Sequence, residues 1–572
     1  MTDSRTLRVI ERDDDRDDAN TFTVEPRLRS VPAQKFETIF REVSEADVET
    51  DTDLPLYGAI RIHFAFLFAQ NEHPPMAITH LIVLYRLLDE YLDEHDYEAI
   101  ACEDLSPDYQ AVVADIAADH GLAVSGVERF GFHRLVVGFL IGMWGYLRLV
   151  VGQVVALILK PLLDGPTPTE TVFVPHINRF DSIRPVLDAF DEPHEVVVPI
   201  ATVSWLRSRT DRYAALHSYD PTPLDYFATP TTVFESLRRG FALTFEVLVT
   251  RRFDARIRTF LAESFGVTMP RTCWYLLGNL FAVHVPSLAN AVVAEQMLTT
   301  LTPKNLVVGS LGSRQQSILY PAIDVGVNTY HVPHSATTGY ELLPPTETVH
   351  FVTGEHVVDH LDSSAQTSGV DNLVPAGRPQ LLGVADRDIA PRDDSAEDAL
   401  RVVVATQRFP DAHREEFITD VLDGLEAAPV SIDVVVKIHP NESPRFYDAV
   451  IQDRPYPVQV AEAHLHELLA GADLAVTINS NVGLEAMVLG TPVVCVTQWS
   501  PLIRARPYAT TGPVPVLRSR DDVTEFFAGL DRETVAELAD IEREFVDEYY
   551  LHDNAADEIA GIICADGSHE KT

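Results

Sequence analysis

Two short segments hold side chains whose types and spacing could bind and transfer a charged group. The first is ADLAVTINSNVGLEAMVLGTPVV at 472–494. It reads as a buried strand ending at Thr477, a polar turn, and a helix from near Val482 that Gly490 ends. Ser480 or Asn481 can cap that helix, whose first N–H groups then point out of the sheet's carboxyl edge. A helix start so placed is an anion site suited to the phosphate of a nucleotide. Glu485, one turn in, can accept hydrogen bonds from sugar or ribose hydroxyls. The second segment is VVVKIHP at 434–440. Here a buried strand delivers His439 to the same edge, where it can donate to a phosphate oxygen, with Lys437 beside it and Pro440 after it. A third loop, Thr406 to Arg408, follows the first strand of this region; Arg408 could clamp a phosphate or pair with a surface carboxylate. The plain alternatives are an ordinary capped strand-turn-helix and a satisfied structural histidine.

Transfer from an activated donor needs the departing phosphate neutralised and, for inversion, a base on the acceptor hydroxyl. Candidates are His334, His176 and Asp181, each in a loop just after an expected strand. His176 is followed by Asn178, Arg179 and Asp181, a polar cluster more suggestive of a site than of a core. Asp51 and Asp53 lie in an acidic, unpatterned stretch and are not credited as a metal site. A phosphate held by a helix terminus calls for no metal and no cofactor.

The elements that must position these groups alternate strand and helix. In the C-terminal part, strands are expected at 401–405, 432–438, 474–477 and 492–496, apolar without alternation, as strands covered on both faces should be. Earlier strands are expected at 99–102, 122–124, 171–175, 195–200, 305–308, 329–333 and 349–353, with long helices over 232–264 and 272–300. The polar stretch 385–399 carries Pro391 and reads as a linker. The expected organisation is a disordered acidic tail (1–30), an N-terminal lobe (31–384) and the linker. A C-terminal lobe (400–530), C-terminal helices (531–565) and a short tail (566–572) follow. Two α/β lobes facing a cleft are expected, with an apolar helical insertion at about 130–165 in the first.

That insertion holds a nearly unbroken apolar run, 135–159, long enough to cross a bilayer of roughly 20 residues. Arg148 sits near its middle, where a charge costs about 3 kcal/mol. Three readings stand open: a helix or hairpin in the membrane interface, a buried helix pair, and a true span.

Composition bounds the rest. The 572 residues carry 44 Lys+Arg against 86 Asp+Glu, a net charge of −42, and the lysines are confined to Lys35, Lys160, Lys304, Lys437 and Lys571. An acidic, lysine-poor surface is expected of a halophilic protein, because concentrated salt screens the self-repulsion. The same charge argues against nucleic acid as a partner, which needs a basic stripe. Four scattered cysteines without CxxC spacing suggest neither disulfides nor zinc. The polar N-terminal stretch has no signal-peptide pattern, so a cytoplasmic location, or the cytoplasmic face of the membrane, is expected.

The motifs His439-Pro440, Ser480, Gly483-Leu-Glu-Ala486 and Gly490-Thr-Pro-Val493 resemble the donor lobe of GT-B glycosyltransferases. The nearest subset is the capsule-polysaccharide, lipid-sugar and glycerophosphate (CDP-glycerol-type) transferases with cytidine-nucleotide donors. In the N-lobe, Tyr330 to Ser335 stands where those families have a strand and Gln-His-Gly, retaining only His334, and Gly377-Arg-Pro379 resembles their Gly-x-Pro. The resemblance covers about 300–530. It implies a GT-B fold and donor contacts at His439, Pro440, Lys437, Arg408, Asn479, Ser480, Asn481, Gly483 and Glu485. It further implies a nucleotide-activated sugar donor and a surface-glycan or lipid-linked acceptor. Two other readings share that fold: a degenerate nucleotide- or glycan-binding scaffold, and a UDP-sugar epimerase, which would need paired acid/base carboxylates in the cleft.

Overall fold

Strands apolar on both faces must be covered on both, and among the described residues they sort into three sheets whose pairings are all parallel. The computed structural model describes residues 6–11, 20–32, 35–36, 38–39, 78–162, 165–202, 205, 214–333, 347–363, 372–385, 399–407, 409, 411–440, 442–448, 450–452, 454–461, 463–497, 507–550, 552 and 554–565. The first sheet contains β1 (Thr6–Ile10), β2 (Thr21–Thr23), β3 (Ala99–Glu103) and β4 (Ala123–Ser125), in the order β2-β1-β3-β4. The second contains β5 (Thr171–Val174), β6 (His194–Val198), β7 (Thr222–Pro223), β8 (Asn305–Val308), β9 (Asn328–His331), β10 (Val349–Val352) and β11 (Leu373–Pro375), in the order β11-β10-β9-β8-β5-β6-β7. The third contains β12 (Leu400–Ala405), β13 (Ile432–Lys437), β14 (Val458–Val460), β15 (Leu474–Thr477), β16 (Val493–Val496) and β17 (Val516–Leu517), in the order β14-β13-β12-β15-β16-β17.

In each large sheet the chain starts at the middle, runs to one edge, then returns and builds the other. The reversal lies between β5 and β8 in the second sheet, and between β12 and β15 in the third. Loops leaving the carboxyl ends on either side of such a reversal diverge and open a crevice, the usual ligand position of a doubly wound sheet. The expected pair of Rossmann-like lobes is present.

Two expectations need correction. Residues 6–10 do not belong to a disordered tail: Leu7 and Val9 are fully buried, and Arg8 pairs with Glu103 across β1 and β3. The strand is short and flanked by charge, so no periodicity announced it. The 31–384 lobe also divides, since its first strands belong to the separate four-stranded sheet. That sheet is fixed to the following helices by Asp115, a buried carboxylate that accepts from Thr272 N (2.9 Å), Thr272 Oγ1 (2.8 Å) and Arg271 N (3.0 Å). It thereby caps the Pro270–His284 helix. The 385–399 linker lies, except for its two ends, outside the described residues, as do 1–5 and 566–572 of the expected tails.

The expected helix over 232–264 breaks at Arg251, which adopts a left-handed φ of 54° between a π-helical turn and the Arg252–Phe265 helix. The one over 272–300 breaks at the Val285–Ser287 turn, where Pro286 cannot donate to the ladder. After the third sheet, Arg532–Tyr549 packs on the Asn481–Val488 helix. The Ala555–Cys564 helix then returns to the second sheet, where Ile559, Ala560 and Ile563 join Phe173 and Val196 in one core. Asn305 Nδ2 donates to the Ile563 carbonyl at 3.0 Å.

The apolar run is a single 28-residue helix, Phe132–Leu159, long and apolar enough to cross a membrane. One face is committed to protein. A Cβ at Gly138 would lie 1.9 Å from the Gly278 carbonyl oxygen and one at Gly142 2.0 Å from that of Phe281, so two helix backbones touch and only glycine fits. Tyr146 OH donates to Ser236 O at 2.6 Å, and Gln153 Nε2 to Ala289 O at 3.0 Å. The other face, with Val137, Leu140, Ile141, Trp144 and Val151, is exposed. A buried helix pair therefore accounts for half of this helix.

Candidate functional site

The site is assembled where β12, β13 and β15 end. Thr406 and Gln407, the two residues after β12, hold the neighbouring loops, one on each side. Thr406 Oγ1 accepts from the His439 N–H at 3.1 Å and donates to Glu442 Oε2 at 2.5 Å. Glu442 Oε2 also receives the His439 N–H at 3.2 Å and the Tyr447 hydroxyl at 2.9 Å. Its other oxygen lies 3.3 Å from Arg414, with the Glu442 side chain 1% exposed. A buried carboxylate is tolerated here because a cation and three donors meet it. It fixes the loop that carries His439, which is half-buried, and Pro440, which is exposed.

On the other side, Gln407 and Asn479 face each other across the chain reversal. Gln407 Nε2 donates to Asn479 Oδ1 at 2.9 Å, and the Asn479 N–H donates to Gln407 Oε1 at 2.8 Å. Two amides cannot slide past each other once both bonds are made, so this clasp sets the direction in which the chain leaves β15. The next residue, Ser480, caps the Asn481–Val488 helix, accepting from the Val482 N–H at 3.2 Å. The positive end of that short helix thus opens at the sheet's carboxyl edge. Asn481, its first residue, is half-buried.

Three expected donor contacts sit differently. Gly483 is buried, and a Cβ on it would lie 2.5 Å from the Tyr508 hydroxyl. That hydroxyl donates to the Ser480 carbonyl at 2.5 Å, so Gly483 makes room for the tyrosine that braces the turn. Lys437 turns aside, Nζ donating to the Ala463 carbonyl at 2.7 Å. It anchors the loop that leads to the Leu465–Ala470 helix. Glu485 is met by His466, Nε2 to Oε2 2.9 Å, with 11% and 21% side-chain exposure. The carboxylate therefore has one oxygen held in place, and the histidine was not foreseen.

The side chains that sequence reasoning missed are Glu442, Tyr508 and His466. Each acts through a partner distant in the chain, and no local pattern marks such a pairing. Gln407 lies in the Thr406–Arg408 loop, where the sequence points to its neighbour Arg408 instead. Arg408 is outside the described residues, as is His334.

On the second sheet, His176 follows β5 and is half-buried. Gly309, after β8 across the reversal, lies so close that a Cβ would be 3.2 Å from the His176 backbone nitrogen, and Gln315 Nε2 donates to the Pro175 carbonyl at 3.4 Å. Asp181 is exposed on the Ile177–Ser182 turn. His176 thus occupies the crevice position of its sheet, as Gln407 and Asn479 do of theirs. Among the described residues, no three His, Cys, Asp or Glu side chains gather to hold a metal ion.

No protein-family model and no curated protein matches the chain. Among solved structures, the UDP-GlcNAc 2-epimerase from Neisseria meningitidis bound to UDP-GlcNAc aligns at 13% identity and a TM-score of 0.41, covering 69% of this chain and 99% of that one. The Acinetobacter baumannii MurG aligns at 11% and 0.41, covering 70% and 99%. The lipopolysaccharide outer core galactosyltransferase WaaB aligns at 12% and 0.38, covering 69% and 99%. At such identities and scores, no chemistry is transferred from them.

Proposed function

We propose that the chain transfers a sugar, or a polyol phosphate, from a nucleotide-activated donor held by the third sheet to a glycan or lipid-linked acceptor. The observation that carries this reading is the Gln407–Asn479 clasp at the chain reversal. It sets the Ser480-capped helix start at the same carboxyl edge to which Thr406 and Glu442 fix the His439 loop. The helix start suits the donor's phosphate, His439 can donate to a second phosphate oxygen, and Glu485, steadied by His466, can accept from a ribose or sugar hydroxyl. Acceptor chemistry belongs to the second sheet's crevice, where His176 is the described side chain best placed to take a proton.

Thermal stabilisation in concentrated salt by CMP, CDP, UDP and GDP, for the wild type and Ser480→Ala, tests it. A ligand at about 100 times its Kd stabilises by about 2.7 kcal/mol. A shift with one nucleotide that the variant loses supports the donor site and names the base. Absence of a shift with every nucleotide overturns the reading in favour of a scaffold. Rearrangement of a soluble UDP-sugar with no acceptor present would replace transfer by epimerisation.

A further inference from the structure

The exposed side of the Phe132–Leu159 helix does not stand alone. Beside it runs the Pro230–Thr244 helix, continued by the turn Phe245–Thr250, and it too leaves its large apolar side chains in solvent: Phe234, Phe241 and Val249. The two elements touch where a Cβ on Gly240 would lie 2.8 Å from the Tyr146 ring and 3.5 Å from the Met143 methyl group. The residues that follow Met143 and Gly240 on the two helices both face outward, Trp144 at 68% and Phe241 at 74% exposure. The result is one continuous apolar surface across two helices, far beyond the single exposed side chains normal for a soluble protein.

Charge says what covers it. In a chain with 86 acidic residues among 572, none occurs between Glu128 and Asp164. The charged residues of that stretch are cations: Arg129, Arg134, Arg148 and Lys160. Arg148 is exposed in the middle of the apolar side, and among the described residues no carboxylate pairs with it. On the neighbouring helix, Glu235 is neutralised by Arg238 and Arg239, and these guanidiniums hold its carboxyl down at about 2. A second copy of this chain would present an acidic exterior, and like-to-like contact would set Arg148 against its own image. An anionic bilayer surface offers what both components of the patch need: hydrocarbon for the rings, and phosphate oxygens for a long arginine that reaches past them. A span is excluded by the packed face, because Gly138 and Gly142 touch another helix backbone and cannot turn to lipid.

We infer that this chain docks on an anionic lipid bilayer through the joined exposed faces of 132–159 and 230–250, with Arg148 meeting the headgroups, and lies on the membrane without crossing it. The helix that carries this face also packs beside the second sheet. Gly152, on the same helix, packs where a Cβ would lie 3.6 Å from Ala201, just beyond the carboxyl end of β6. The inference stands on the surface alone and does not depend on the nucleotide reading.

The test is flotation of the full chain with vesicles of phosphatidylcholine, and of phosphatidylcholine mixed with phosphatidylglycerol, at the lowest salt in which it stays folded. The wild type is expected to float with the mixed vesicles. The double variant Trp144→Glu, Phe241→Glu is expected to partition about tenfold less or lower, while melting at an unchanged temperature, since both side chains lie outside the core. Arg148→Ala is expected to lose the preference for mixed over neutral vesicles. Equal flotation of wild type and double variant overturns the inference, as does a wild type that floats with neither vesicle. So does a vesicle-free dimer that the double variant dissociates, which would make a second copy the occupant. Nucleotide stabilisation of the same samples is read in parallel, so that failure of the surface and failure of the donor site are told apart.

Discussion

Glu442 touches Thr406, the His439 backbone, Tyr447 and Arg414 with a side chain only 1% exposed. Removing it takes the carboxylate away from Arg414, whose side chain is 12% exposed, and breaking a buried pair in that way costs about 3–5 kcal/mol. Glu442→Ala should therefore lower the melting temperature markedly and abolish any nucleotide-dependent shift, as read by thermal denaturation with and without ligand. Glu442→Gln should cost less, because an amide still meets the Tyr447 and Thr406 hydroxyls. Gly483→Ala places a methyl group 2.5 Å from the Tyr508 hydroxyl. Overpacking of that kind costs about 1–3 kcal/mol, measurable as a lower urea midpoint with an unchanged slope. At this scale the sequence revealed the polar turn and the strand-end histidine, because capping residues and buried strands are local signals. Glu442, His466 and Tyr508 work through side chains far along the chain, and the sequence gives no spacing by which to find them.

Strands were legible wherever the sheet covers both faces, since a run of three or more apolar residues bounded by polar ones announces itself. The expected 305–308 and 474–477 coincide with β8 and β15. The edge strands β14 and β17, half-exposed and two or three residues long, left no such run. Breaks inside helices were equally hidden: nothing in the residue type of Arg251 foretells a left-handed backbone. The glycine row of the Phe132–Leu159 helix was visible as letters, but its purpose needed the partner helix. Gly138→Val should force that pair apart, lowering stability by at least about 2 kcal/mol. The check is a chemical-denaturation midpoint, set against Gly383→Val, whose Cβ has no neighbour within 4 Å. If the two variants are equally stable, the close helix contact is not what holds the insertion together.

For the molecule as a whole, a net charge of −42 predicts that salt stabilises. Raising ionic strength from about 0.1 M to about 1 M shortens the screening length from about 10 Å to about 3 Å. The melting temperature should climb steadily across that range, and a flat response would refute salt adaptation. Stability should also depend on pH in an uncommon direction. Burial pushes the carboxyls of Glu542 to about 8, Asp108 to about 7 and Asp115 and Asp225 to about 6. Each is therefore protonated more readily folded than unfolded. The stabilisation is complete below the ordinary carboxylate range and is lost as pH rises through these values. The protein should melt higher near pH 5 than near pH 9. Glu542→Gln, which cannot ionise beside the Val493 N–H it meets at 2.8 Å, should narrow that gap from the alkaline side.

The returning helix, Ala555–Cys564, bears on how the protein is made. The last strand of the second sheet leaves the ribosome at Pro375, yet Ile559 and Ile563 complete the core beneath that sheet. Throughout synthesis of the third sheet, the earlier lobe waits with part of its interior open to water. Its final closure is thus deferred until the other lobe has already been built, and a nascent chain halted before Ala555 should be digested by protease in its first half and not merely at its end.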